Sequence, residues 1–325
     1  MIFQLFAANV PVSERSRAFG YLISAGTVGQ TVAALLTPHL YWSLAFYKFG
    51  ALGIVWTYFW FAFYYRGSGG GFTDESRSKT IISLEAPSIN GGGESEAPLI
   101  IGSSLKSSSS SFPGSGRWYR SWWTYAGLFL TGWPLWAIYI AHFAMNWSNY
   151  IIMQWFPYYL SRYLGADSRS LSLTAVPYIV NSIAGIGAGH IADSLITERK
   201  WPLLRVRRLM TAVGLAGAGL CMLTFATVRS LLPAVSIIVA AMAFCALNSA
   251  GHLANHSDVA PAHAGITFAV SNTLATIPGL LCGPLTAELV LQSSGRFGPV
   301  FVLAAAINAV GAVVYASQSS ATPIF

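Results

Sequence analysis

Four polar side chains, His142, Asn146, Asn149 and Tyr150, fall at steps of four, three and one within an otherwise apolar stretch. That spacing places them on one broad face of a helix. An imidazole, two amides and a phenol so arranged can hydrogen-bond a polar solute, and His142 can also exchange protons, since imidazole titrates near neutrality. Asn272 sits within another apolar stretch and adds a further amide, as do Asn181, Asn248 and Asn308. The competing reading is that each amide fastens one helix to the next. A second group, His252, His256, Asp258 and His263, has its first two histidines four apart. Spacing fixes no further metal ligand, so the expectation is solvated histidines in a short loop rather than a metal site. Asp193 closes an apolar stretch, where a carboxylate is suited to meeting a helix N-terminus. Asp258 is expected to serve a similar structural purpose. No nucleophile elbow, phosphate-cradling glycine loop or paired carboxylates occur, so no catalytic residue, metal or cofactor is implied.

The elements that must hold these groups are membrane spans. Of 325 residues, 54% are hydrophobic and only 9% are charged, whereas soluble domains carry about a quarter charged residues. Eleven of the 29 charged residues lie between Arg66 and Arg120, leaving the rest suited to lipid. At about 20 apolar residues per span, eight candidates emerge: Ala18 to Leu36, Ser43 to Tyr65, Trp133 to Pro157, Ser172 to Ala192, Leu209 to Val228, Leu231 to Gly251, Ala264 to Leu291, and Phe297 to Ala316. The expected fold is therefore all-α and polytopic. Residues 66–121 hold 10 Gly and 15 Ser, a composition that reads as a linker. It separates a two-span segment, 1–65, from a six-helix bundle, 122–325. An aromatic belt of Trp118, Tyr119, Trp122, Trp123 and Tyr125 leads into that bundle.

Thirteen Lys and Arg fall on the side that holds Arg15, Arg17, the linker and Arg199 to Arg208, against five on the other. The positive-inside rule makes the richer side cytoplasmic, in whichever membrane the protein occupies, plasma membrane, vacuole or plastid envelope. The same rule accounts for the net charge of +7, and no basic stripe interleaved with aromatics points to nucleic acid. Cys221, Cys245 and Cys282 lie unpaired in apolar stretches and read as small packing residues. Met1 to Val10 lacks the basic start and cleavage site of a secretory signal. Small residues crowd three spans: Gly20, Ser24, Gly26 and Gly29; Gly185, Gly187 and Gly189; and Gly214 to Gly219. Close helix packing favours them.

Several stretches resemble the major facilitator superfamily, and within it the anion:cation symporters that include sialic-acid, vesicular glutamate and phosphate carriers. Ser13 to Ala18 followed by Ala25, Gly26 and Gly29 is similar to the family's entry into its fifth span. Ala141 to Trp147, with Tyr150 and Trp155 to Leu160, resembles the seventh. Val176 to Tyr178 and Gly189 to Leu195 resemble the eighth and the loop after it. Asn255 to Pro261, Ala264 to Ile266 and Val270 to Thr273 form the most specific match. The resemblance implies spans five to twelve of a twelve-span fold, with the four spans that carry the family's coupling carboxylates and principal binding arginine outside this sequence. Met145 stands where glutamate-carrying members have an arginine.

By that resemblance the expected function is secondary active transport of a small anion, phosphate or a carboxylate, symported with sodium or protons across a lipid bilayer. His142, Asn146, Asn149, Tyr150 and Asn272 would bind solute, while Asp193, Asp258 and Arg15 would serve the gate. The alternatives are a non-transporting truncated fragment, which would leave faces open to self-association, and an integral membrane transferase, for which the sequence offers His142 no acid, base or nucleophile as partner.

Overall fold

The computed structural model describes residues 2–68, 127 and 129–324. The aromatic belt before residue 127 and nearly all of the 66–121 linker lie outside the described residues. Within them the regular structure is helical: α1 (Ile2–Asn9), α2 (Arg15–Leu36), α3 (Trp42–Ser68), α4 (Trp133–Leu164), α5 (Val176–Thr197), α6 (Leu203–Phe225), α7 (Leu231–Ala246), α8 (His252–Val259), α9 (Ala264–Gln292) and α10 (Gly298–Gln318). Helix is what an apolar solvent selects, because every backbone N–H and C=O is then satisfied within the segment.

Among the described residues, six helical segments are both long and apolar enough to cross a membrane: Arg15–His39, Ser172–Thr197, Leu203–Phe225, Leu231–Val259, Pro261–Gln292 and Gly298–Gln318. The remaining two expected spans, α3 and α4, have the length, at 27 and 32 residues. At 1.5 Å per residue both exceed the roughly 30 Å hydrocarbon core. Both are rich in Trp and Tyr, and α4 also carries its polar face, which lowers their hydropathy.

α4 carries Pro134 in its first turn, where the missing N–H costs nothing, and runs through Pro157. It stops at Gly165, which adopts φ 67 and ψ 26, a left-handed conformation that glycine reaches without a Cβ clash. The N–H groups of Gly165 and Ala166 both donate to the Leu160 carbonyl, closing the helix end.

Residues 1–40 and 119–325 form one compact unit, and 41–118 form a second. In the first unit α4 packs on α9 and α10, α10 on α6, α6 on α7, α7 on α5, and α5 on α2. Glycines make the last contact possible. A Cβ on Gly20 would stand 2.6 Å from the Gly185 carbonyl oxygen, and one on Gly189 would stand 2.7 Å from that of Ser16. These are backbone atoms, so the two helices could not approach this closely with any larger residue. Gly214 likewise admits the Asn248 side chain, whereas Gly26, Gly29 and Gly187 face open space. In the second unit α3 is exposed along most of its length, with Trp42, Phe46, Trp56 and Phe63 among its bare aromatics.

Candidate functional site

α4 and α9 are joined by a ladder of three hydrogen bonds that ascends both helices together. His142 Nδ1 and Ser271 Oγ share a hydrogen bond at 2.8 Å. One turn on, Asn146 donates to the Ala275 carbonyl at 3.0 Å. Two turns further on α4 and one on α9, Gln154 donates to the Gly279 carbonyl at 3.2 Å. Between these rungs the Tyr150 ring lies against Gly279, where a Cβ would come within 2.8 Å of its Cζ. The register increases on both helices together, so they run parallel.

Beside this ladder lies a cavity of about 390 Å³, walled by α2, α4, α5, α7 and α9 with the segment from Leu247 to Leu253. All five residues expected to bind solute reach it: His142, Asn146, Asn149 and Tyr150 from α4, and Asn272 from α9. Gln30, Thr27, Tyr178, Asn181 and Ser249 complete its polar lining. The five differ in what their polar atoms already do. His142 and Asn146 are tied to α9, while no side-chain hydrogen bond within the described residues holds Asn149, Tyr150 or Asn272. The Asn149 Oδ1 is buried without a partner, which is uncommon unless a group is reserved for another molecule. Elsewhere the fastening reading describes the amides: Asn181 donates to the Met242 carbonyl at 2.7 Å, and Asn308 to Ser148 Oγ at 2.6 Å.

A second cluster gathers where α2 and α6 start and α5 and α8 end. Asp258 accepts from Arg15 Nη1 at 2.8 Å and from Arg207 Nε at 2.7 Å, and all three side chains are buried. Arg207 also donates to Ser16 Oγ at 2.7 Å and to the Ala250 carbonyl at 2.8 Å. Asp193 accepts from the backbone N–H groups of Ser16 and Arg17, at 3.2 and 2.9 Å, and from Arg17 Nε at 3.2 Å. It therefore stands at the positive end of α2, where the first N–H groups have no partner within the helix.

The histidine group differs from the loop expected. Residues 252–259 form α8, and His252, His256 and Asp258 are buried. The cause is tertiary: α1 folds beneath this segment, with Phe3 stacked on Phe268 at 3.6 Å and edge-on to His256 at 6.0 Å. Gln4 holds α1 there by donating to the Ala262 carbonyl at 2.7 Å. Among the described residues no three His, Cys, Asp or Glu side chains are grouped as for a metal ion.

By sequence Arg207 belongs to a run of topogenic charges, and the structure encloses it fully. The signal was its phase. It lies on the same helical stripe as Thr211, Gly214 and Ala218, all buried. Removing the paired Arg15 and Arg207 from the charge count leaves the orientation unchanged.

Membrane-length helices closing around a cavity whose described lining holds no Asp, Glu, Lys or Arg, with an ionic cluster at one end, define an all-α polytopic integral membrane protein. The model of the Major Facilitator Superfamily matches residues 1–282, and the chain belongs to that superfamily. Its relatives include a probable anion transporter 4, chloroplastic, of Oryza sativa subsp. japonica, 30% identical over 94% of this chain and 47% of its own length. Sialin of Ovis aries is 30% identical over 96% of this chain and 59% of its own length. An ascorbate transporter, chloroplastic, of Arabidopsis thaliana is 27% identical over 94% and 52%. The chain spans about half the length of the curated relatives it matches.

Proposed function

We propose that this protein moves a small inorganic or organic anion, phosphate or a carboxylate, across its membrane by alternating access, driven by a sodium or proton gradient. The observation that carries the reading is the cavity itself. It brings the imidazole, amides and phenol of two parallel helices together, and among the described residues lining it there is no carboxylate to repel an anion. Its volume of about 390 Å³ suits a small solute. In such folds two bundles rock about a central site, and residues 1–65 and 122–325 are read as contributions to those bundles joined by the 66–121 linker. Asn149, Tyr150 and Asn272 orient the solute, and His142 and Asn146 fix the wall that presents them. At the cytoplasmic end, Asp193 on the start of α2 and the Arg15, Asp258 and Arg207 cluster hold the gate, and parting α2 from α5 and α8 opens it. The relatives whose names state an activity are transporters, which supports a carrier over a transferase.

The second reading is a piece that inserts and binds but does not carry by itself, its open faces met by self-association. Reconstitution in proteoliposomes separates the two. Saturable uptake of labelled phosphate or glutamate, dependent on a sodium or proton gradient and above that of empty vesicles, supports the carrier. Folded protein that binds these anions without transporting them supports the second reading, and folded protein that binds none of them removes both.

A further inference from the structure

The connection from α5 to α6 and the first two turns of α6 carry Arg199, Lys200, Arg205, Arg207 and Arg208. The fold sorts these cations. Arg207 turns inward to Asp258, and Arg208 donates to the Ser317 and Ser319 carbonyls, at 3.2 and 2.8 Å, and to Ser319 Oγ at 3.0 Å. Arg199, Lys200 and Arg205 are exposed. We infer that these three bind the headgroup of a phospholipid that carries a phosphomonoester, and that an acyl chain of the same lipid lies along the outer face of α6.

The turn holds its cations in fixed places. Trp201 N–H donates to the Leu195 carbonyl at 3.0 Å and Arg199 N–H to that of Ser194 at 3.2 Å, closing α5 with Lys200 at φ 55. Glycine takes that left-handed conformation freely, whereas lysine takes it at a cost, so a charge stands where a smaller residue would close the helix better. Trp201 packs on the cluster of Ala188, Ala192, Val206, Met210 and Ala250. The Arg205 guanidinium lies 4.6 Å from the centre of the Trp201 ring, a stacking that orients its donors. Glu198 is the one acid between 198 and 208 and accepts from Ser194 Oγ at 2.8 Å, so the exposed groups of the turn sum to +2. A phosphomonoester carries about −1.5 to −2 at pH 7 and complements that charge.

α6 continues the site into the bilayer. Leu209, Val213, Ala216, Leu220 and Leu223 follow Arg205 at steps of four, four, three, four and three, and all are exposed. The opposite side, with Met210, Gly214, Ala218 and Met222, is buried. That buried side packs on α7 and α10, and the cavity is walled by other helices, so the exposed stripe faces out of the bundle. From Arg205 to Ala216 the helix rises about 16 Å, roughly half of a 30 Å hydrocarbon core and so the depth of one leaflet. Helical side chains lean towards the N-terminus, which carries the Arg205 guanidinium to the headgroup level. The positive-inside rule puts this turn at the cytoplasmic leaflet, where anionic lipids concentrate.

The test is a lipid count by native mass spectrometry. The whole purified chain in non-ionic detergent is titrated with dioleoyl phosphatidic acid, phosphatidylserine or phosphatidylcholine. Phosphatidic acid should be retained at one per chain, phosphatidylserine more weakly and phosphatidylcholine weakest, and added salt should narrow the differences. Lys200→Gly should weaken phosphatidic acid about fivefold, the worth of one cation at a membrane surface. Its melting temperature should hold or rise, because glycine relieves the left-handed backbone. Adding Arg199→Gln and Arg205→Gln should remove the preference over phosphatidylcholine. Glycerol 3-phosphate, which has the headgroup without the chains, should not displace the lipid at equal concentration. Equal retention of all three lipids overturns the proposal, as does a preference for phosphatidic acid that survives the triple variant. Displacement by glycerol 3-phosphate overturns it in favour of a soluble anion, and lipid-free dimers of the unaltered chain overturn it in favour of self-association through α6. Should the triple variant fail to fold, Lys200→Gly alone decides, since undiminished affinity in that variant overturns the proposal.

Discussion

Asp258→Asn removes the negative charge shared by Arg15 and Arg207 while keeping the size of the side chain. Asp258 and Arg207 are at most 1% exposed, and their atoms meet at 2.7 Å. Arg15 meets the other oxygen at 2.8 Å from a position 8% exposed. Deleting one partner of a buried pair costs about 3–5 kcal/mol, because the remaining charge is left without compensation. Here two guanidinium groups are left, and only Arg15 has a path towards water. At about 2–4 °C per kcal/mol for chains somewhat smaller than this one, the midpoint of thermal unfolding in detergent should fall by roughly 10 °C. Arg15→Gln should cost less than Arg207→Gln, since Asp258 keeps its enclosed partner in the first case and loses it in the second. Replacing the whole cluster, Arg15→Met with Arg207→Met and Asp258→Leu, should recover most of the loss. The assay is tryptophan fluorescence or circular dichroism against temperature. A single Asp258→Asn substitution that melts within about 2 °C of the unaltered protein would show that the cluster does not bear on stability, and the argument from burial would fail.

Asn149→Leu and Tyr150→Phe should reduce anion binding while folded yield stays near normal, because neither polar group is used by a neighbouring helix; a matching loss of yield would assign them to packing instead. Asn146→Leu should behave in the opposite way, lowering stability by about 1 kcal/mol through the lost bond to α9, read by thermal unfolding. Gly189→Val should separate α2 from α5 and cost about 1–3 kcal/mol; an unchanged melting point would contradict the close approach of their backbones. In a background without Cys221, Cys245 and Cys282, a cysteine at Glu198 and one at Ala166 should label from opposite sides of sealed vesicles, and labelling from the same side would overturn the orientation.

The sequence alone was sufficient for the all-helical membrane architecture, because the two signals involved are local: apolar runs of membrane length, and the periodicity that put His142, Asn146, Asn149 and Tyr150 on one face. The meeting of Asp193 with a helix start was also legible, since a carboxylate at the end of an apolar stretch has few other uses in a membrane. Tertiary structure decided what those faces meet. Whether an amide fastens helices or stays available depends on the neighbour opposite it, and helical phase is similar for Asn146, which found the Ala275 carbonyl, and for Asn149, whose Oδ1 found no partner among the described residues. Burial of His256 draws on α1, some 250 residues earlier in the chain, whose Phe3 lies edge-on to it, and that of His252 on the rings of His142 and Tyr315. Arg207 has two like-charged neighbours within three residues, Arg205 and Arg208, and only the pairing of α6 with α2 and α8 separates the enclosed one from the exposed. Local sequence sets the direction in which a side chain leaves its helix, and the charge, hydrogen bond or cavity found there belongs to segments brought alongside by folding.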